Sequence, residues 1–563
     1  MSVVLSEHLP LLATAPDGIQ KLRGLILELA VRGKLVSQDP NDEPASELLK
    51  RIAKERAQLE AEGTCKKSKA MPPVGEDEQP FDLPDGWQWS RLADLTQVLN
   101  GRAYAKNELL AAGTPVLRVG NLFTSNHWYY SDLTLEPDKY CDEGDLIFSW
   151  SASFGPFIWS GPKVIYHYHI WKLALFDQRS LAKEFLYKFL LEKTAEIKAA
   201  GHGVSMVHMT KEKMEKIPVP IPPLAEQHRI VAKVDELMAL CDRLEAEQTD
   251  AEAAHTKLVE TLLGTLTQST DAAELATNWQ RLAAHFDTLF TTESSLDALK
   301  QTILQLAVMG KLVPQDPNDE PASELLMRIR KSRNFRRKAS EVNFGEIELD
   351  QPDLPDSWIW TVVDQVADDD ENSITDGPFG ANLKTEHYVD VPGYRVIRLQ
   401  NIGQMQFRGK HQAYITEQRF TALSKHRVFA GDLVVAGLVD EEQGIRCCLL
   451  PEDIGPAVVK ADCYRFSVHN QVSVSFALIF LNAPLSSSFA TAHHHGMTLT
   501  RIGLGNFRKL PFPLPPLTEQ HRIVAKVDEL MALCDRLKAD LAESRTRQAR
   551  LSATLIESAL EAA

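Results

Sequence analysis

Two tetrapeptides carry side chains suited to reading base edges: Arg118-Val119-Gly120-Asn121 and Arg398-Leu399-Gln400-Asn401. An arginine fork can hold the O6/N7 edge of guanine with two bonds, and an asparagine or glutamine amide can do the same for the N6/N7 edge of adenine. Each motif follows a short β-branched run and ends in Asn, a residue that also caps turns. Polar groups gather around both. Arg102, Tyr104 and Lys106 precede the first motif, and Asn382 and Lys384 precede the second. Later loops add Ser205 and Lys211 in one case and Thr498, Thr500 and Arg501 in the other. With Arg118, Asn121, Arg398, Gln400 and Asn401 these form the candidate nucleic-acid contacts. The segment Asp376–Leu383 contributes Gly377, Pro378 and Gly380, which read as a tight turn or as bare backbone able to approach a phosphate.

Bond-making chemistry has no comparable support. Gly33-Lys34-Leu35 and Gly310-Lys311-Leu312 lack the first glycine and the Ser/Thr of a phosphate-binding loop. There is no [DN]PP[YF] motif of an amino-methyltransferase and no carboxylate–lysine cluster of a nuclease. Cys447, Cys448 and Cys463 lack the second close ligand pair of a zinc site, and the adjacent His493–His495 are poorly placed to converge on one ion. No catalytic residue and no metal ligand is therefore expected.

The formal charge of −16 argues against a simple basic DNA-binding protein. Its distribution changes that reading. Residues 87–217 hold 15 Lys/Arg against 14 Asp/Glu, and residues 358–516 hold 14 against 16, so the excess acid lies elsewhere. Each segment can present a local basic face, while neither has the charge to hold a polyanion tightly alone, which points to a partner supplying phosphate contacts. The seven cysteines include no CxxC pair and fit a reducing cytoplasm. No run of about 18 apolar residues exists, so no membrane span is expected. The patch at Leu9–Ala13 has no basic region before it, so no signal peptide is expected.

The elements that must position these residues are written twice. Leu29–Ile52 and Leu306–Ile329 differ at three of 24 positions. Leu224–Leu244 and Leu517–Leu537 differ only by Ala225 against Thr518. Asp82–Trp89 (DLPDGWQW) and Asp353–Trp360 (DLPDSWIW) form a third pair. Between these blocks the sequence diverges and the spacing changes. Trp87, Trp89, Trp358 and Trp360 read as core anchors.

The repeated frame is helical. Ile230, Val234, Leu237, Cys241 and Leu244 recur at spacings of four and three, continuing to Ala251, Leu258 and Leu262. Ile523, Val527, Leu530, Cys534 and Leu537 repeat this and continue to Leu541, Leu551 and Leu555. Such seams predict helices of about 40–45 residues that pair along one face, with Gln248, His255, Ser544 and Gln548 as polar interruptions. Pro-rich segments, Pro218–Leu224 and Pro511–Leu517, precede both. Shorter helices are predicted near Gly18–Val31 and Leu296–Val308, closed by Gly33 and Gly310. The inserts alternate short strands with turns, as at Val116–Val119, Asp145–Trp150, Val164–Tyr168, Tyr394–Leu399, Asp432–Ala436 and Cys463–Val468, and include a helix near Leu181–Ala199.

PPLAEQHRIVAKVD at Pro222–Asp235 and PPLTEQHRIVAKVD at Pro515–Asp528 resemble the junction after each target-recognition domain in type I restriction–modification specificity subunits. GKLVxQDPNDEPASELL, LPDxWxW, DGPFGANL and the GDL turns at Gly144–Leu146 and Gly431–Leu433 are similar to other parts of that family. The first insert departs from it, with NGRAYAK at Asn100–Lys106 where a DGPFG-like segment belongs.

The resemblance implies an α+β multidomain chain. Two α/β target-recognition domains would be separated by paired long antiparallel, coiled-coil-like helices in a pseudo-two-fold repeat. The expected divisions are 1–80 (helical region and linker), 81–217 (first recognition domain), 218–352 (central helical region with linker), 353–510 (second recognition domain) and 511–563 (C-terminal long helix). The implied partners are double-stranded DNA, two modification subunits and two restriction subunits. S-adenosylmethionine, ATP and Mg would be bound by those partners. Two different inserts on a repeated frame predict an asymmetric, two-part DNA target with an unread gap. The competing reading is a heptad-mediated assembly scaffold without sequence-specific DNA contact, and the twice-repeated EQHRI junction counts against it.

Overall fold

The computed structural model describes residues 12–65, 71–151, 154–200, 209–332, 352–440, 444–491 and 499–561. The chain divides into two compact units, Met1–Ala251 with Ser544–Ala563, and Glu252–Glu543. Both long helices have 45 residues, Leu224–Gln268 and Leu517–Glu561. Each begins in one unit and ends in the other.

In the first unit the helix Gly18–Val31 packs Leu22, Leu25, Ile26 and Leu29 against Ile230, Val234 and Cys241, with Leu237 and Leu244 alongside. The tail of the second long helix joins this cluster through Leu555, Ile556 and Leu560. The second unit repeats the arrangement. Leu299, Ile303 and Leu306 of helix Glu293–Val308 share a core with Ile523, Val527 and Cys534, flanked by Leu530 and Leu537, and with Val259, Leu263 and Leu266 of the first long helix. The heptad reading needs correction in both tails. Leu258 and Leu551 are 51% and 50% exposed, while Val259 and Ser552, one residue later, are buried. A straight helix has 3.6 residues per turn, so a strict 3.5-residue pattern drifts around it.

The repeated letters form one lock in each unit. The insert's first and last strands zip together as an antiparallel ribbon: Gln88–Arg91 pairs with Pro218–Ile221, and Ile359–Val362 with Pro511–Leu514. Proline is tolerated because a two-stranded ribbon has a free edge on each strand. Glu226, fully buried, accepts the Trp87 indole N–H at 3.0 Å and the Gln38 amide at 3.1 Å. Glu519 likewise accepts Trp358 at 3.0 Å and Gln315 at 2.6 Å. Burial pushes both carboxyl groups above the usual carboxylate range, against the opposing pull of these donors. The next residue holds the insert's own helix: Gln227 accepts the Ala182 amide, and Gln520 accepts the Ser473 amide, each at 2.8 Å. Arg229 pairs with Asp42 at 2.7 Å and Arg522 with Asp319 at 2.6 Å. Gly33 and Gly310, at φ 68° and 69°, pack under Pro84/Trp87 and Pro355/Trp358. Lys34 then reaches the Leu560 carbonyl, and Lys311 the carbonyls of Thr267 and Ser269. The GKL lysines thus meet the C-terminal end of a long helix, where a cation is favoured.

Each insert is built on two small sheets, and the second adds a two-stranded ribbon, Leu438–Asp440 with Leu499–Arg501. In the first, one sheet runs Thr96–Asn100, Ile170–Leu175, Leu146–Ser149, Gly155–Ile158, all antiparallel. The other runs Tyr129–Ser131, Thr114–Leu117, Val164–Tyr166, Tyr140–Cys141, with a parallel central pair. Leu117, Ile147, Val164, Tyr166 and Ile170 share a core between them. The far face of the first sheet packs Phe148, Trp171 and Leu173 on Leu186, Phe189 and Leu190 of helix Lys183–Ala200. The second insert repeats this with sheets Ile374–Asp376, Cys463–Phe466, Leu433–Ala436, Cys447–Leu449 and Tyr388–Val389, Tyr414–Ile415, Tyr394–Ile397, Ala457–Val459, Arg427–Val428. Strand alternation puts Cys447 in a different core from Cys448 and Cys463. Among the described residues no single helix is long and apolar enough to cross a membrane, and the apolar bent pair Val474–Asn482 and Pro484–Thr491 packs inside the second unit's core.

Candidate nucleic-acid interface

In each insert the chain crosses from one sheet to the other through a tight turn, His167–Ile170 in the first and Lys460–Cys463 in the second. The last residue's N–H donates to the first residue's carbonyl, at 2.9 and 3.0 Å. A glycine at the end of the neighbouring strand presses against this turn. A β-carbon on Gly101 would overlap the His167 carbonyl, and one on Gly377 the Lys460 carbonyl. NGR at Asn100–Arg102 therefore does the steric work of the DGP at Asp376–Pro378, although its sequence departs from that pattern. The shared requirement is the glycine.

The arginine–asparagine turns lie beside these crossovers, since His167 N–H donates to Leu117 O and Lys460 N–H to Ile397 O, both at 2.9 Å. Asn121 caps its own turn by accepting Arg118 N–H at 3.1 Å, and its amide nitrogen donates to the carbonyls of Ser125 and His127. Asn401, fully buried, accepts Arg398 N–H at 3.0 Å and donates to Arg408 O and Lys410 O. Both amides are committed to loop geometry, the turn-capping task. The two arginines differ in exposure, Arg118 being exposed and Arg398 half-buried with its Nε buried. The Arg118 guanidinium lies 5.2 Å from the Tyr129 ring. Arg398 lies 6.0 Å from the Tyr388 ring and donates to His411 O at 2.8 Å. Lys460 approaches that same ring at 5.7 Å.

Around Arg118 a cavity of about 410 Å³ is lined by Gly120, Asn121, His127, Tyr129, His167 and His169. The imidazoles of His167 and His169 favour the neutral form. Burial lowers His167 to about 4, aided by His169 and Arg118, and burial lowers His169 as well. Tyr168, 41% exposed, stands between them and within 6.2 Å of Trp150.

The remaining candidates divide. Lys106, Asn382, Lys384 and Gln400 are exposed. Arg102 is held by Glu108 through two bonds, at 2.7 and 3.1 Å, and lies over Tyr104. Tyr104 is half-buried, its hydroxyl 3.5 Å from Tyr166 O, and burial raises it to about 12. Lys211 pairs with Glu215 at 3.5 Å. Arg501 pairs with Asp462 at 2.7 Å and covers the exposed Phe379 ring at 4.9 Å. Thr500 lies in the strand Leu499–Arg501, opposite Val439. Ser205 and Thr498, like His493–His495, lie outside the described residues.

Comparison with known proteins decides what this frame is. The chain is 36% identical over 575 residues to the type I restriction enzyme EcoAI specificity subunit of Escherichia coli, covering 96% of this chain and 94% of that protein. The chain belongs to the type I restriction–modification specificity-subunit family. The EcoEI specificity subunit of Escherichia coli is 33% identical over 572 residues, again at 96% and 94% coverage. Residues 84–253 and 449–544 match the family described as type I restriction modification DNA specificity domain. A solved chain from a study of type I system assembly is 19% identical, covers 85% of this chain and 99% of its own, and has a TM-score of 0.48. Specificity subunits are non-catalytic.

Sequence reasoning passed over His127, Tyr129, Trp150, His167, Tyr168 and His169 in the first specificity domain, and Tyr388, Lys410 and Lys460 in the second. None sits in a motif. The available signal was positional: both crossover turns immediately follow a short apolar strand that pairs beside the Arg-Asn turn.

Proposed function

We propose that this chain selects an asymmetric, two-part target on double-stranded DNA, one half per specificity domain. It also holds two modification (methyltransferase) subunits and two restriction subunits, which carry S-adenosylmethionine, ATP and Mg and do all the chemistry, in the cytoplasm. The observation that carries this is the pairing of identical locks with unlike surfaces. Both domains hang from the same Glu–Trp–Gln–Arg–Asp network. Both place an arginine over a tyrosine ring beside a sheet-to-sheet crossover, yet what else surrounds it is histidine in one and Lys460 in the other. Arg118 and Arg398 would grip the duplex, with Lys106, Lys384, Asn382 and Gln400 within the exposed rim. Ser205, Lys211, Thr498, Thr500, Arg102 and Tyr104 remain secondary contacts. Asn121 and Asn401 act as positioning residues. The acidic frame faces partner subunits rather than DNA.

Methylation mapping of a host expressing the whole complex tests this. Deleting residues 87–217 should abolish the site-specific pattern. Exchanging 358–510 for the corresponding domain of another subunit should change one half of the target and spare the other. A methylation pattern unchanged by the deletion would refute DNA selection by this chain, and a change in both halves on exchange would refute one half per domain.

A further inference from the structure

Side chains that both specificity domains carry at equivalent places cannot distinguish one half-site from the other. Arg118 matches Arg398, Asn121 matches Asn401, and Gly101 matches Gly377. The crossover turn behaves oppositely. Its backbone is fixed by the same bonds in both domains, from the strand behind it and across its own ends. A third bond repeats too, from Trp150 N–H to His169 O at 3.1 Å and from Gly437 N–H to Asp462 O at 2.7 Å. All three side chains held by these shared bonds differ, His167, Tyr168 and His169 against Lys460, Ala461 and Asp462, and the third position differs in backbone too, Asp462 alone having a left-handed φ of 65°.

The first turn is rigid as well as exposed. Tyr168 N–H donates to Arg102 O at 3.0 Å, and the Trp150 indole donates to Tyr168 O at 2.9 Å. Trp150 in turn stacks on Trp171 at 5.6 Å. An aromatic side chain on such a platform offers contact area with little ordering cost. In the second turn Asp462 is paired with Arg501, and the groups around it are donors: the Lys460 ammonium beside the Tyr388 ring and the Asp462-held guanidinium of Arg501. Donors complement the guanine edge, which offers two acceptors in the major groove. The first turn instead offers a hydroxyl, imidazoles that can both donate and accept, and an apolar ring.

We propose, resting on the DNA-selecting role above, that the crossover turn is the base-discriminating element of each domain. Tyr168 with His167 and His169 reads in the first, and Lys460 with the Asp462-held Arg501 reads guanine in the second. The arginine shared by both domains holds the DNA backbone beside the turn.

The test uses the full chain assembled with its methyltransferase subunits and a duplex library randomised across both half-sites. Tyr168→Ala is the informative change, because alanine already occupies the equivalent place in the second turn and the backbone accommodates it. Preference should flatten at one or two adjacent positions of one half, by on the order of tenfold, with the other half unchanged. Ala461→Tyr and Lys460→Met should alter only the opposite half, Lys460→Met by relaxing a guanine. Half-site profiles that stay at the parental pattern, or binding that weakens equally on every sequence, would overturn the assignment while leaving DNA selection intact. A parental complex that enriches no sequence at all would overturn the selecting role itself.

Discussion

Replacing Glu226 by glutamine should loosen the ribbon that closes the first specificity domain without disturbing the second. Two donors converge on this carboxylate, the Trp87 indole at 3.0 Å and the Gln38 amide at 3.1 Å, one on each oxygen. A glutamine supplies one acceptor oxygen and one NH2 group, so one donor then faces another donor. Gln38 is exposed and can turn to water. Trp87 is 8% exposed and cannot, so whenever its indole loses the oxygen a buried N–H goes unpaired. That costs about 1–3 kcal/mol. Relief of the buried charge offsets part of it, since burial already disfavours the ionised form of Glu226. A net loss of about 1–2 kcal/mol corresponds to roughly 5–30-fold faster opening, at 1.36 kcal/mol per factor of ten. Native-state hydrogen exchange reads this locally. Peptides over 88–91 and 218–221 should exchange faster, while those over 359–362 and 511–514 hold their rate. Trp87→Phe removes the same bond from the other side, and the double variant should fall short of the sum of the singles by about 0.5–3 kcal/mol. Strict additivity, or equal acceleration in both ribbons, would refute the lock. Glu519→Gln should produce the mirror result through Trp358 and Gln315.

Three further outcomes are expected. Lys311→Met removes two donors from the carbonyls of Thr267 and Ser269 and should fray the end of the first long helix by about 1 kcal/mol, seen as faster exchange over 264–269. Lys34→Met should do less, because Lys34 makes one contact at 3.4 Å. Glu192 is raised to about 7, chiefly by burial and then by Glu196, so the stability linked to its proton is full below the ordinary carboxylate pKa and is lost as pH rises through 7. Glu192→Gln should therefore match the parent in thermal melting at pH 4.5 and exceed it at pH 8, by on the order of 1 kcal/mol once solvent screening of this partly exposed group is counted; a variant that is less stable at pH 8 would contradict the linkage. Arg118→Ala and Arg398→Ala should each weaken DNA binding evenly across sequences and lower the salt slope of log K by about 1, and a sequence-selective loss measured by titration against matched and mismatched duplexes would make them base readers instead.

Much of the frame was legible because its letters are doubled. A glycine, a lysine, a glutamine and an aspartate recur at fixed offsets before each insert, and EQHR recurs after it. The structure gives nearly every one of them a bond to another: Gln38 and Trp87 to Glu226, Asp42 to Arg229, Lys34 to a helix end. What the letters did not disclose was where the long helices change company. The heptad count carries Leu258 and Leu551 into the seam, yet both face solvent and the buried line resumes at Val259 and Ser552. A periodic pattern specifies a face only while one neighbour lies along it, and each long helix ends in a different core from the one in which it begins.

The interface was less legible for a related reason. The Arg-Asn tetrapeptides attract notice because they are alike, and likeness within one chain marks what both copies must hold in place. Asn121 and Asn401 illustrate this: each spends its amide on the turn that carries the arginine. A surface that must differ between copies leaves no repeated motif, so HYH at His167–His169 and KAD at Lys460–Asp462 resemble nothing in each other until the strands align them. Equivalence of the bracing bonds then gives the comparison that letters could not. Two turns braced by an equivalent glycine and the same three hydrogen bonds, differing in backbone at Asp462 (φ 65°), carry wholly different chemistry. Under the proposal above, turns braced alike but carrying different side chains would change which base pair is favoured without changing how the domain sits on the duplex. That division lets one frame serve two unlike half-sites.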